Sequence, residues 1–161
     1  MYFSKLTKHV KSSSLFIGPI MKIKNIQLKS IEARRYAELN ERPKQVRIDH
    51  NSSITHMSSI NEKEAKIEFQ YTASFGPIGV IKLEGMLVYE EDGAKKMAEE
   101  WNKSRKMPDE AASRIHTAIM HASVPQAVGL AKDLGLPPPI PLPQVRLGKK
   151  PSVGQSGPEI A

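Results

Sequence analysis

The sequence predicts an α+β domain: a four-stranded antiparallel sheet with C-terminal helices packed on one face, closed by a proline-rich strap. Two observations support this prediction. Four segments with strand character come first, and segments with helical spacing of apolar residues follow, the order typical of helices that cover one face of an antiparallel sheet. Prolines then concentrate after the last helical pattern, where neither a helix nor an inner strand can continue.

The first two strand signals are irregular. In the first, Ile26 and Leu28 share one parity, whereas Ile31 and Ala33 share the other, and a bulge near Ser30 reconciles the two pairs. In the second, one parity is shared by three apolar residues, which predicts a strand that spans all of them: Val46, Ile48 and Ile54.

The clearest strand runs from Ala65 to Phe75, because apolar and polar residues alternate along it. A short turn, Gly76 to Gly79, leads to a second strand with apolar residues on one side, so the pair is predicted to form a hairpin. The other side of that second strand carries Val80, Met86 and Val88. These side chains suggest a contact between subunits, although scattered exposed apolar residues explain them equally well.

Two helical patterns follow the hairpin. The first has an apolar stripe from Ala94 to Trp101, and the acids from Glu90 to Asp92 are expected to cap its N-terminus. The second begins at Pro108 and Asp109. Pro125 is expected to kink or interrupt it, and Gly135 to end it in the left-handed conformation.

The strap contains five prolines within residues 137–143 and is expected to form a polyproline II segment. At three residues per turn it has two apolar edges, one with Leu136, Pro139, Leu142 and Val145, the other with Pro137, Ile140 and Pro143. This pattern favours a packed closure of the domain. The alternative is an exposed ligand of a proline-binding domain, because Pro138 and Pro141 have PxxP spacing.

Length and composition suit one domain. We expect residues 1–20 to be a basic disordered leader or extension, residues 21–147 the folded domain, and residues 148–161 a disordered tail. The absence of cysteine excludes disulfides and fits a cytoplasmic protein, and no apolar run is long enough to span a membrane as a helix. Eleven Lys and Arg against four acids give residues 1–50 a charge of +7, and the remainder carries thirteen of each sign.

No pattern of catalytic, metal or cofactor residues occurs. The five histidines have no i, i+4 pair for a metal ion, and no glycine-rich phosphate loop is present. We therefore expect no catalytic residue, no metal and no cofactor. The alternative, an enzyme with a dispersed site, is one that only a structure can reveal.

The order of elements resembles the SecB-like fold of the export chaperone SecB and its archaeal relatives, over residues 21–147. The resemblance rests on the strand AKIEFQYTASF, the strand VIKLEGMLVY, the helix EAASRIHTAIMHAS and the ending LPPPIPLPQV. It implies a non-enzymatic, ATP-independent holdase that assembles into a homodimer or tetramer and binds unfolded polypeptides in apolar grooves. The groove is expected between the helical face and the connection after the first strand, lined by Ile54, Met57, Ile60, Phe75, Ile78 and Met120.

The alternative is a ribosome- or RNA-associated factor on the same scaffold, for example a ribosome-binding or dimerisation factor. SecB presents acidic surface, whereas the first third of this chain is basic. Cations there could bind the phosphates of a nucleic acid, and the release of counterions would favour that binding. The candidate residues are Lys22, Lys24, Lys29, Arg34, Arg35, Arg42 and Lys44.

Overall fold

The computed structural model describes residues 22–140, which form one antiparallel sheet with helices on one face. The strands are β1 (Ile23–Arg35), β2 (Asp49–Ser59), β3 (Glu64–Ser74) and β4 (Gly79–Glu90), and the helices are α1 (Ala94–Ser104) and α2 (Asp109–Asp133). A turn of 3-10 helix, Gly76–Ile78, joins β3 to β4. The strand order β1-β4-β3-β2 puts β1 and β2 at the two edges. The predicted fold class is confirmed.

The predicted bulge in β1 is present. The register between β1 and β4 shifts between Leu28 and Ser30, and a second irregularity lies between Lys24 and Gln27. The shift near Ser30 puts Leu28 opposite Gly85 and Ile31 opposite Leu83. Leu28 and Ala33, which differ in parity, pack against the core, whereas Ile31 is 52% exposed.

The second strand is shorter than predicted. β2 begins at Asp49, opposite Ser74, the last residue of β3, so the segment before Asp49 has no neighbouring strand with which to pair. Val46 and Ile48 lie in the connection that precedes β2, partly buried against the core. The prediction that they belong to the strand was wrong, because apolar parity marks burial and does not require a strand.

Both helices occur where predicted, but the expected acidic cap of α1 is absent. Its N-cap is Gly93, with φ 84°, and no side chain caps it. Glu91 instead accepts hydrogen bonds from Lys22 and from the Tyr89 hydroxyl.

Pro125 does not interrupt α2, which is continuous over 25 residues. Proline removes one backbone donor, a loss that tertiary packing can outweigh. Ile119 before it and Ala127 after it are both fully buried, so each half of the helix stays on the sheet.

The strap begins as expected. Gly135 has φ 63°, and the Leu136 amide donates to the Ala131 carbonyl at 2.8 Å, a glycine-terminated helix end. Leu136 and Pro139 are buried, as predicted for the first apolar edge, whereas Ile140 of the second edge is 51% exposed. Leu142, Pro143 and Val145 lie outside the described residues, as do the predicted leader and tail.

The core lies between the sheet and the helices. Its largest fully buried side chains come mainly from β3 and β4, with Ile115 and Ile119 opposite them on α2. On the other face of the sheet, Val88 is only 6% exposed, and its cross-strand neighbours are Lys24 and Lys66. Within residues 22–140, neither helix has the length and apolar character needed to cross a bilayer.

Three glutamates link fold stability to pH. The pKa of Glu91 is lowered from its ordinary value of 4.5, chiefly by Lys22, that of Glu64 chiefly by Lys24, and that of Glu68 chiefly by Lys66. A carboxyl group whose pKa is lower in the folded state stabilises the fold at pH values above its unfolded-state pKa. This stabilisation is lost as pH falls through the folded-state pKa. We therefore expect urea-unfolding free energy to fall as pH drops below about 4.5.

Replacing Glu91 by Gln should flatten that pH dependence. Glu38→Gln, in an exposed position on the connection after β1, is the matched control and should leave the slope unchanged. A slope identical in wild type and Glu91→Gln would contradict this account.

Candidate functional site

An open cavity of about 780 Å³ lies between β2 and the segment that joins α1 to α2. We call it the β2 cavity. Its apolar walls are Ile54, Trp101 and Met107, and its polar lining includes Arg105, Lys106, Asp109 and His116 together with the β2 residues Ser52, Ser53 and Thr55. Four consecutive residues of an edge strand therefore border one depression.

The backbone of β2 is the second feature of this site. β3 pairs with one side of β2, and no strand of the described chain pairs with the other. Asn102 on α1 donates its side-chain amide to the Met57 carbonyl at 3.0 Å, which ties α1 to the strand. An unpaired strand edge is a template on which an extended chain can form backbone hydrogen bonds.

Two histidines on this side of the molecule have hydroxyl partners. His116 Nδ1 lies 2.6 Å from Ser52 Oγ, and His50 Nδ1 lies 2.7 Å from the Tyr71 hydroxyl. Burial raises the pKa of Tyr71 to about 12 and keeps its hydroxyl protonated. Serine beside histidine is one part of a hydrolytic triad, but no hydrogen bond from His116 to a carboxylate occurs within residues 22–140. The Ser52–His116 hydrogen bond joins β2 to α2.

A second cavity, of about 450 Å³, lies beside the connection between β1 and β2. We call it the connection cavity. Leu39, Val46, Ile78 and Pro137 form its apolar part, and Arg42 and Lys44 lie at its polar part. Leu39 is 83% exposed and Tyr36, which lines an adjoining depression, is 57% exposed. The connection thus presents two large apolar side chains to solvent.

Arg35 holds this region together. Its guanidinium donates to the carbonyls of Ala37, Glu38 and Glu41 on the connection, at 3.0, 2.9 and 3.0 Å. It also donates to the Gly135 carbonyl at 2.8 Å, where the strap begins. One side chain thereby joins the end of β1, the connection and the end of α2.

The six predicted polypeptide-binding residues separate into two groups. Met57, Phe75 and Ile78 are core residues, fully or nearly fully buried. Ile54 and Met120 are half-buried, and Ile60 is 54% exposed after the end of β2. Ile54 lines the β2 cavity and Ile78 contributes to the connection cavity, so the structure does not bring all six into one groove.

The seven predicted anion-contacting residues are also dispersed. Lys22 pairs with Glu91, Lys24 with Glu64 and Glu90, and Lys29 with Glu68. Arg35 is committed to backbone carbonyls, as described above. The remaining three, Arg34, Arg42 and Lys44, have no ion pair among residues 22–140.

Sequence reasoning missed the polar residues of the β2 cavity. Ser52 and His116 are 64 positions apart, and no spacing rule connects them. Trp101 was expected as a buried helix residue, and it is 5% exposed. Its role as a wall of the cavity depends on how α1 is placed against β2. Among the residues the structure describes, no group of three or more His, Asp or Glu side chains could hold a metal ion.

No protein-family model and no curated protein sequence matches the chain. Among solved structures, it is similar to the SecB-like chaperone Rv1957 of Mycobacterium tuberculosis, determined in complex with a ChAD peptide from the Rv1956 HigA1 antitoxin. The two chains are 13% identical, and the match covers 72% of this chain and 81% of the other with a TM-score of 0.49. The expected relationship to archaeal proteins stays a prediction.

Proposed function

We propose that the protein is a non-enzymatic, ATP-independent holdase that binds unfolded polypeptides, with the β2 cavity as its principal contact. One observation carries this proposal: the cavity combines a strand edge that no other strand of residues 22–140 pairs with and the apolar walls Ile54, Trp101 and Met107. Backbone hydrogen bonds to an edge strand recognise any extended chain, and apolar pockets beside it take alternate side chains. This combination suits clients that share an unfolded state and no common sequence.

The connection cavity is proposed as a second, weaker contact. Tyr36 and Leu39 lie on a segment without regular secondary structure, which can adjust to different clients more easily than a strand can. Assembly into a homodimer or tetramer, as the family resemblance implies, would put several such contacts on one particle. Each client would then be held with greater avidity than one cavity provides.

The prediction of a ribosome- or RNA-associated factor has less physical support. Neighbouring glutamates neutralise three of its seven candidate cations, and Arg35 is bound to backbone carbonyls. Sedimentation of cell extract through a gradient at low and high salt tests it. Salt-sensitive migration with ribosomes would favour the RNA-associated function, and migration away from ribosomes at both salt concentrations would exclude it.

Aggregation of a chemically unfolded client tests the holdase. At equimolar concentration and without ATP, the wild-type protein should suppress client light scattering. Ile54→Ser and Met107→Ser should each weaken the suppression several-fold, because each removes about 1 to 2 kcal/mol of apolar contact from the walls. Ile26→Ser on β1, outside both cavities and 37% exposed, is the matched control and should suppress like the wild type.

Thermal melts of the four proteins show whether each variant remains folded. Failure of the folded wild-type protein to suppress scattering would disprove the holdase function. Suppression that is equal in all four proteins would move the client site away from the β2 cavity.

A further inference from the structure

The β2 cavity differs from the solvent face of the sheet in how its charges are arranged. Two cations, Arg105 and Lys106, line it next to one acid, Asp109. The cations of the sheet face, by contrast, form ion pairs with neighbouring glutamates, such as Lys24 with Glu64. Within residues 22–140, neither Arg105 nor Lys106 has a carboxylate partner within 4.0 Å.

Arg105 is held in place without its charge being neutralised. Its guanidinium carbon lies 4.1 Å from the centre of the Trp101 ring, a cation–π contact. The Arg105 backbone has φ 59°, and its amide donates to the Trp101 carbonyl at 2.8 Å, at the end of α1. Stacking fixes the plane of the guanidinium and leaves its N–H groups able to bind an anion at its edge.

His116 borders the same cavity from α2. Its Nδ1 lies 2.6 Å from Ser52 Oγ, a contact that joins α2 to β2. An anion that enters the cavity finds two cations against a single carboxylate, beside apolar walls.

We propose that the β2 cavity selects unfolded segments that carry a carboxylate next to an apolar side chain, so that the preferred clients are acidic polypeptides. This inference rests on the proposed polypeptide binding. Arg105 and Lys106 contact the carboxylate, Ile54 and Met107 take the neighbouring side chain, and the edge of β2 pairs with the backbone.

Nucleic acid fits this cavity less well than an acidic peptide. Single-stranded nucleic acid is bound by aromatic faces that stack with bases along a continuous basic track. Trp101 is 5% exposed and the Arg105 guanidinium stacks on it, so its ring is not available to a base. Asp109 in the cavity and the ion-paired cations of the sheet interrupt any such track.

Three labelled peptides of one design test the proposal. All three carry the same apolar residues at alternate positions, and they differ only at two flanking positions, which hold Glu, Gln or Lys. Fluorescence anisotropy measures the binding of each peptide to the full-length protein. We expect the Glu peptide to bind about tenfold more tightly than the Gln peptide, because charge-assisted hydrogen bonds are stronger than neutral ones. The Lys peptide should bind most weakly, and high salt should reduce the differences.

The double variant R105Q/K106Q should bind the Glu peptide no better than the Gln peptide. The variant K96Q/K103Q, which removes the same charge from exposed positions of α1 outside the cavity, is the control and should keep the Glu preference. Lys106→Gln alone should lose part of the preference without altering the stacked Arg105.

Equal affinity for the Glu and Gln peptides, or tighter binding of the Lys peptide, would overturn acidic selectivity while leaving the holdase intact. Displacement of the Glu peptide by a short RNA, lost in R105Q/K106Q, would also overturn it and reassign the cavity to nucleic acid. Absence of binding to all three peptides together with no suppression of aggregation would instead disprove the proposed function itself.

Discussion

Replacing Leu136 by Asp is expected to lower the free energy of unfolding by about 4 kcal/mol, because the change removes a buried apolar side chain and introduces a carboxylate without a partner. Leu136 is 5% exposed, and both of its methyl groups lie within 3.3 Å of the position that a Cβ on Gly79 would occupy. It therefore packs directly on the start of β4. Urea denaturation followed by circular dichroism measures the effect.

Ile140→Asp is the matched control for this substitution. It lies in the same proline-rich segment but is 51% exposed, so the expected loss is below about 0.5 kcal/mol. This contrast separates the two interpretations of the strap. If Leu136→Asp unfolded at the same urea concentration as the wild type, the strap would not be a structural closure, and the exposed PxxP ligand would become the better explanation.

Replacing Gly85 by Ala is expected to lower the free energy of unfolding by about 2 kcal/mol or more, because the added methyl group has no space. Its Cβ would lie 2.5 Å from the Gln27 carbonyl oxygen, 2.7 Å from Cζ of Phe69 and 3.2 Å from Cα of Leu28. Two of these atoms belong to the backbone of β1. Phe69 is 1% exposed and has no room to move aside.

The same substitution at Gly129 should have the opposite sign. Gly129 is an exposed residue of α2, and nothing lies within 4 Å of an added Cβ. Alanine is favoured over glycine in a helix interior by about 1 kcal/mol, so Gly129→Ala should stabilise the protein by up to that amount. Destabilisation by both substitutions, or by neither, would show that close approach of β1 to β4 is not what Gly85 provides.

Local pattern predicted much of this fold. Alternation from Ala65 to Phe75 predicted β3 to within one residue, because one of its faces is buried along its whole length. Gly135 predicted the end of α2, since a left-handed residue favours glycine. Even the bulge near Ser30 was evident, because apolar residues changed parity there.

Predictions failed where the outcome depended on a distant segment. Val46 has the parity of a strand residue, but the available partner strand ends at Ser74. Pro125 was predicted to kink or interrupt α2, and it does not interrupt the helix, because buried residues on both sides hold α2 on the sheet. In both cases the competing contacts are far away in sequence.

The predicted polypeptide-binding residues are dispersed in the structure. Ile54 lines the β2 cavity, whereas Met57 and Phe75 are fully or almost fully buried. Apolar character alone does not separate a core residue from a binding residue. Arg105 gave no signal in the sequence, because its importance comes from stacking on Trp101 beside the open edge of β2.

By itself, then, the sequence determined the class of the fold, the order of its strands and helices and the start of the closing strap, because periodicity, glycine and proline act over a few residues. Only the tertiary structure decided which cations are neutralised by the sheet's glutamates and which apolar residues are core. It also decided where an edge strand, apolar walls and cations without an ion pair among residues 22–140 meet. These outcomes depend on contacts between residues that are far apart in sequence, such as Ser52 and His116. No local pattern encodes a distance across the fold.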